Sequence, residues 1–181
     1  LHVSQCSQEL GNALADVISG DYNPAGRTTQ TWVKDILDLP GMLDYDIRNG
    51  RTYMYFKGEP LYPFGYGLSY TSFEYSRLKV RCQKDSVRLS FDLNNTGGRD
   101  GEEVVQLYVR FPGDDAAMRL RGFERVPVSE GETVRVDLVV PFEDLKLWDT
   151  EAGAFGLAGG RYEFLIGASS EDIRLSDSVA L

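Results

Sequence analysis

The spacing of hydrophobic positions changes part-way along the chain. Leu10, Ala13, Leu14, Val17 and Ile18 recur at helical spacing, with Glu9 in the first turn and Gly20 just past the end. This predicts an amphipathic helix over residues 8–19. A turn cluster at 21–26 leads into residues 28–33, where β-branched residues alternate as in a strand. Residues 34–59 are mixed, with Pro40, Gly41, Asn49, Gly50 and Gly58 around an expected short strand at 51–56. That is long for a connection inside a compact unit, so it is expected to cross a surface between units.

The stretch PLYPFGYGLSY at 60–70 sets Tyr62, Phe64, Tyr66 and Tyr70 among two prolines and two glycines. So much aromatic area in a turn-rich segment predicts a packed hinge rather than a solvated linker. Beyond it the period falls to two. Val87, Leu89, Phe91 and Leu93 alternate with polar residues, as do Val134, Val136, Leu138 and Val140. Strands are expected at 73–80, 86–93, 103–111, 118–128, 133–140, 161–168 and 173–179, with one helical turn within 141–148. Seven strands in about 110 residues predict a β-sandwich.

Composition narrows the function. Across 181 residues, 42% are hydrophobic and 26% charged, and no apolar run reaches the length of a membrane-spanning helix. A net charge of −9 disfavours nucleic acid as a partner, because phosphates are neutralised by clustered Lys and Arg. Cys6 and Cys82 stand on opposite sides of the hinge, a spacing that makes neither a zinc site nor a disulfide framework, and both are expected to be free small hydrophobes. The chain starts at Leu1 without a signal-like segment, as expected of a piece of a longer protein.

Several segments match one family in order. They are Gly11-Asn12-Ala13-Leu14-Ala15-Asp16-Val17, Gly20-Asp21-Tyr22-Asn23-Pro24-Ala25-Gly26-Arg27, Gly50-Arg51-Thr52-Tyr53-Met54-Tyr55-Phe56 and the hinge. After the hinge come Glu103-Val104-Val105-Gln106-Leu107-Tyr108-Val109, Leu120-Arg121-Gly122-Phe123 and Gly167-Ala168-Ser169-Ser170-Glu171-Asp172-Ile173-Arg174. Together they resemble the C-terminal part of glycoside hydrolase family 3, the β-glucosidase and β-xylosidase family. One departure is Leu10-Gly11 where the family usually has a glycine pair.

The resemblance implies a mainly β chain: a fibronectin type III-like (immunoglobulin-like) β-sandwich at 71–181, an aromatic Pro/Gly hinge at 61–70, and at 1–60 a C-terminal remnant of an α/β sandwich domain with its exit segment. It implies a parent enzyme that hydrolyses terminal β-D-glucosyl or β-D-xylosyl residues with retention and no cofactor. The family's aspartate nucleophile lies on an N-terminal barrel domain, and its acid/base glutamate, in many members, on the α/β domain. Neither motif is in this sequence, so the expectation is a scaffold and interdomain support that is not catalytic alone. Its partners would be the upstream catalytic domains. Secretion or periplasmic export is an analogy with the family.

The residues themselves offer little rival chemistry. Retaining hydrolysis needs two carboxyl groups about 5–5.5 Å apart. Asp44, Asp46 and Glu59 are the candidates, but each sits in turn-rich sequence that predicts solvent exposure or backbone hydrogen bonds. Asp16 and Asp21 flank the helix end as turn residues. The pairs Asp114-Asp115, Glu143-Asp144 and Glu171-Asp172 lack the spaced pattern of a calcium loop, so no metal is expected. His2 is the only histidine and is terminal, which removes His-dependent triads. Trp32 and Trp148 are expected in the core or an interface, and Asn94-Asn95-Thr96 is a sequon explained by a turn. The helix stripe Leu10, Leu14, Val17 and Ile18 is expected to meet a partner or a second copy. Two rivals stand beside the main reading: a carbohydrate- or surface-binding sandwich module, favoured by a row of exposed aromatics, and a purely structural interaction domain.

Overall fold

The computed structural model describes residues 1–3 and 8–181. The two-residue alternation becomes two facing antiparallel sheets. One contains β3 (Phe73–Cys82), β4 (Ser86–Asn95) and β7 (Thr133–Pro141) in the order β3-β4-β7. The other contains β5 (Gly101–Arg110), β6 (Arg119–Val128), β10 (Arg161–Gly167) and β11 (Ile173–Ala180) in the order β11-β10-β5-β6. Val87, Leu89, Phe91 and Leu93 point inward from β4 and meet Val105, Leu107 and Val109 of β5 and Phe164 and Ile166 of β10, all without solvent contact. Phe91 stacks on Tyr75 of β3 with centroids 5.8 Å apart. These strands agree with the sequence expectation to within two residues at each end. The expected helical turn is a 3-10 turn at Phe142–Leu145. Between β7 and β10 a further hairpin forms from β8 (Leu147–Asp149) and β9 (Ala154–Gly156), which no sequence period announces.

Before the sandwich the structure is sparser than expected. The helix α1 spans Leu10–Ser19, closed by Gly20 at φ 85°, where the left-handed backbone suits glycine. Ser7 and Cys6 lie outside the described residues. The expected strand at 28–33 shrinks to β1 (Trp32–Val33), paired with β2 (Pro60–Tyr62). Thr28 lies outside that ladder because its backbone joins the hinge: its N–H donates to Tyr66 O at 2.8 Å and its carbonyl accepts from Gly65 N–H at 2.8 Å. The expected strand at 51–56 is instead one helical turn, α2 (Thr52–Tyr55), entered through Gly50 at φ 91° and Thr52 at φ 61°.

That turn covers the outer face of the four-stranded sheet. Tyr53 stacks on Phe64 at 4.4 Å and meets Tyr108 edge-on at 5.8 Å, while Leu165 and Met118 complete a second apolar cluster. Strand β6 carries a bulge at Arg121, and the Leu120 N–H beside it donates to the Tyr53 hydroxyl at 2.9 Å. Gln106 of β5 donates to Gly65 O at 3.0 Å and Ala168 O at 2.6 Å. Gly65 has φ 79°, and a Cβ there would stand 2.0 Å from Gln106 Oε1. Burial pushes the Tyr108 hydroxyl far above its usual range, so it stays protonated and donates to Gln106 Oε1 at 2.6 Å.

One ion pair and one arginine hydrogen bond pin the joint. Arg27 reaches across 76 residues and donates from Nη2 to both oxygens of Glu103, each at 3.1 Å, with both side chains more than nine-tenths buried. Arg27 Nη1 also donates to Ala25 O at 3.0 Å. At the other end Arg119 holds Asp114 through two hydrogen bonds and reaches the Tyr55 hydroxyl at 3.3 Å. Burial works against the Asp114 charge, but hydrogen bonds from Arg119 and the Ala116 N–H outweigh it and hold the carboxyl below its usual range.

Breaking the buried pair with Arg27→Ala leaves Glu103 charged and unpartnered, a loss of about 3–5 kcal/mol in urea unfolding, whereas Met at both positions recovers much of it. Equal losses for the single and double variants contradict this. The Asp114 contact weakens in acid. Because the folded carboxyl titrates below its unfolded value of about 3.9, its stabilisation is present above that pH and fades as pH falls through the lower folded value. Asp114→Asn is therefore less stable than wild type at pH 7, and the two stabilities converge below about pH 4.

Candidate functional site

The candidate carboxylates are used locally. Asp44 accepts from the Asp46 N–H at 3.0 Å and Asn49 Nδ2 at 2.8 Å, and Asp46 accepts from the Arg48 N–H at 3.0 Å. The Arg48 N–H, followed by its guanidinium, lowers the Asp46 pKa. Glu59 pairs with Lys34 at 2.6 Å, which lowers its pKa too. Asp21 accepts from the Ser19 hydroxyl at 2.6 Å, and the Asp16 carbonyl accepts from the Tyr22 N–H at 3.0 Å, both closing the helix end. Of the acidic pairs, Asp114 serves Arg119, Glu143 pairs with Lys146 at 2.5 Å, and Asp172 pairs with Arg174. Among the described residues no three His, Cys, Asp or Glu side chains converge as a metal set.

These local bonds shape a loop. Asp35 accepts from the Leu37 N–H at 2.9 Å and Asp38 accepts from the Asp35 N–H at 3.1 Å, a reciprocal cap on the short 3-10 turn Ile36–Asp38. Arg51 donates to Asp44 O at 2.8 Å and Gly41 O at 2.8 Å, drawing the far side of the loop together. The ordered backbone presents apolar side chains outward. Ile36, Leu37, Met42, Leu43 and Tyr45 are 78%, 86%, 87%, 83% and 84% exposed. Large apolar side chains left wet in one hydrogen-bonded segment mark a contact surface. The loop outstrips the helix stripe as such a surface: Leu10, Leu14 and Val17 are half-buried and Ile18 is exposed.

Of the hinge aromatics, Phe64 and Tyr66 are half-buried, while Tyr62 and Tyr70 stay 42% and 50% exposed. Tyr62 lies between Trp32 at 6.2 Å and Tyr66 at 5.3 Å, and His2 meets Trp32 edge-on at 5.0 Å. The Tyr70 hydroxyl donates to Val17 O at 2.7 Å and Arg99 donates to Gly20 O at 2.6 Å, which ties α1 to the sandwich. Asn23 joins the same seam, donating to Asp100 O at 3.0 Å and accepting from the Tyr70 N–H at 2.8 Å. Asn95, the middle residue of the sequon, is fully buried, bonded to Arg99 O, Val128 O and the Thr71 hydroxyl, while Asn94 is half-buried. One expectation is narrowed here and one fails. Of the core or interface expected for Trp148, the core is ruled out, because the side chain is 56% exposed on the face of β8 opposite Leu147. Cys82 is free but exposed at the end of β3, so it is no packed hydrophobe.

A cleft of about 490 Å³ opens where the hinge meets the sandwich, lined by Arg27, Tyr66, Phe73, Tyr75, Glu103 and Arg174 among others. Its charges are already matched, Arg27 with Glu103 and Arg174 with Asp172. Burial, then the Glu103 charge, pushes the Tyr75 hydroxyl far upward, so it remains neutral. The arrangement is a seam between two parts of the chain, with its charged side chains already paired to one another. Sequence reasoning placed Arg27, Glu103, Asn95 and Gln106 in matching or turn segments and gave them no role. The one available signal was Glu103, which shares the inward parity of Val105 and Leu107 and so called for a buried cation.

Residues 1–70 match the family model for the glycosyl hydrolase family 3 C-terminal domain, and residues 103–170 match that for a fibronectin type III-like domain. The chain is 43% identical over 169 residues to a xylan 1,4-beta-xylosidase of Xylanibacter ruminicola, covering 91% of this chain and 19% of that protein. It is 37% identical over 197 residues to a beta-glucosidase of Rhizobium radiobacter, covering 96% and 24%. Its fold matches beta-glucosidase 3B from Thermotoga neapolitana, solved with glycerol, at a TM-score of 0.88 and 36% identity over 97% of this chain and 27% of that one. Beta-D-glucoside glucohydrolase from Trichoderma reesei gives 0.86 and 31% over 96% and 29%. The chain thus spans about a fifth to a quarter of the length of these two sequence relatives. With both of its parts matched in order, a family 3 segment followed by the sandwich, the chain belongs to glycoside hydrolase family 3, as a stretch of that family's C-terminal region.

Proposed function

We propose that the chain is the support portion of a retaining β-glycosidase, which removes terminal β-D-xylosyl or β-D-glucosyl units by means of carboxylates carried on upstream domains. In this reading residues 1–60 close an α/β sandwich domain, 61–70 form the hinge and 71–181 form the sandwich that braces it. The observation that carries it is the exposed apolar loop at 36–45. Each large side chain buried there stabilises a contact by roughly 1.5–3 kcal/mol, so a surface of this kind calls for cover. The cover is an upstream domain of the same enzyme, which the relatives' greater length supports. The chain supplies no catalytic residue of its own: Asp44, Asp46 and Glu59 are held by loop bonds and an ion pair. The exposed Ile18 flank of α1 adds a smaller surface, through which isolated chains self-associate when that cover is absent.

The test is hydrolysis of p-nitrophenyl β-D-xyloside and β-D-glucoside by this chain and by a protein extended upstream in the same gene. The expected outcome is turnover only by the longer protein. Turnover by the 181-residue chain that is lost in Asp44→Asn, Asp46→Asn or Glu59→Gln would place the catalytic carboxylates here and overturn the reading.

A further inference from the structure

We propose that the loop at 36–45 is a docking surface able to hold the upstream part of the same polypeptide without a peptide link, an inference that rests on the reading of the chain as the support portion of a longer enzyme. The segment before Tyr70 carries little core of its own. Among its described residues only Ala25 and Gly65 are buried, and no residue of α1 is. Its sheet is a ribbon of two residues in β1 and three in β2, and a lone two-stranded pair is at best marginally stable in water. Layers of a domain are stable when each buries its apolar side against another. The larger part of the two sequence relatives lies outside the stretch they share with this chain, and the facing layer belongs to that part.

The exposed side chains select an apolar partner. Ile36, Leu37, Met42, Leu43 and Tyr45 face outward within ten residues, and each is more than three-quarters exposed. Charged side chains are depleted at the centre of a protein interface, where Met and Tyr are enriched. The carboxylates of this segment turn to its own backbone: Asp35 accepts from the Leu37 N–H, Asp38 from the Asp35 N–H and Asp44 from the Asp46 N–H. The contact is thereby left to the apolar side chains. Less has to be ordered on docking as well, because the Arg51 bonds to the Gly41 and Asp44 carbonyls hold the backbone on both sides of Met42 and Leu43 before anything docks. A second copy of the chain would bring another segment with as little core, whereas the upstream part brings the layer that this one faces.

The experiment co-expresses two polypeptides from the same gene, the 181-residue chain and a tagged piece that ends at the residue before Leu1, beside the uncut extended protein. The expected result is capture of the chain with the tagged piece, co-elution in gel filtration, and hydrolysis of p-nitrophenyl β-D-xyloside or β-D-glucoside by the pair. Because the contact is apolar, it persists between about 0.1 M and about 1 M NaCl, where exposed charge pairs are screened. Leu37→Asp and Met42→Asp each weaken the complex at least about tenfold, since docking would bury an unpaired carboxylate. Neither changes the melting temperature of the chain alone, because the replaced side chains are 86% and 87% exposed. Val139→Asp, on the exposed face of β7, leaves the complex intact. An active uncut protein beside co-expressed pieces that never associate overturns the inference and leaves the functional reading standing. An inactive uncut protein sinks that reading and this inference with it. Association that survives both loop substitutions, or that dissolves at the higher salt, overturns the inference too. So does a dimer of the 181-residue chain that Leu37→Asp abolishes and the upstream piece fails to displace, which would make the loop a contact between copies.

Discussion

Strand β5 is covered on both faces, and the rest of the molecule is arranged to keep it so. Its inner side chains Val105, Leu107 and Val109 build the sandwich core, while Gln106 and Tyr108 on its outer side are buried beneath Tyr53 and Phe64. An antiparallel sheet commonly leaves one face wet. Here the outer face bears a buried amide and a buried phenol, which would lose their packing and their shared bond without the segment above them. The Arg27–Glu103 pair locks that segment in place at one end, and Arg119, oriented by Asp114, holds the Tyr55 hydroxyl at the other. The described residues before Tyr70 are thus an overlay fixed to the sandwich by interlocking polar bonds, and among them only Ala25 and Gly65 are buried.

An overlay of this kind transmits position. Anything seated on the loop at 36–45 is held at a set distance and angle from the sandwich, because Arg51 ties the loop to its own backbone and Tyr53, two residues on, is anchored to β5 and β6. Supporting a catalytic domain needs rigidity of this sort, and the chemistry then belongs to the supported part. The polar seam carries that rigidity with paired charges, which resist replacement by water because each group would be left alone if its partner withdrew.

How much of this was legible depends on the physical signal. The sandwich strands could be read because period two persists for eight to ten residues between turns, as in Val87 to Leu93. The turn at Thr52–Tyr55 could not, because Tyr53, Met54, Tyr55 and Phe56 form an apolar run without a period, and the positive φ of Thr52 that enters it has no sequence mark. The β8–β9 hairpin was invisible at three residues per strand, too short for alternation to register. At the joint, Arg27 and Glu103 stand 76 positions apart, and their pairing is a product of topology. The loop's exposed Ile36, Leu37, Met42 and Leu43 look like ordinary hydrophobes in sequence, and only the structure shows that nothing in the described chain covers them. Family resemblance named the protein's relatives from ordered motifs, while the physical roles of those motif residues emerged only from contacts.

The seating of an upstream domain on the loop at 36–45, as proposed above, can be read directly from its backbone amides. The most direct measurement is amide hydrogen exchange over residues 36–47, followed by mass spectrometry, in this chain alone and in the protein extended upstream. The account predicts fast exchange in the chain alone and marked protection in the longer protein, with the β4 and β5 amides slow in both. Equal, fast exchange of the loop in both proteins would contradict it.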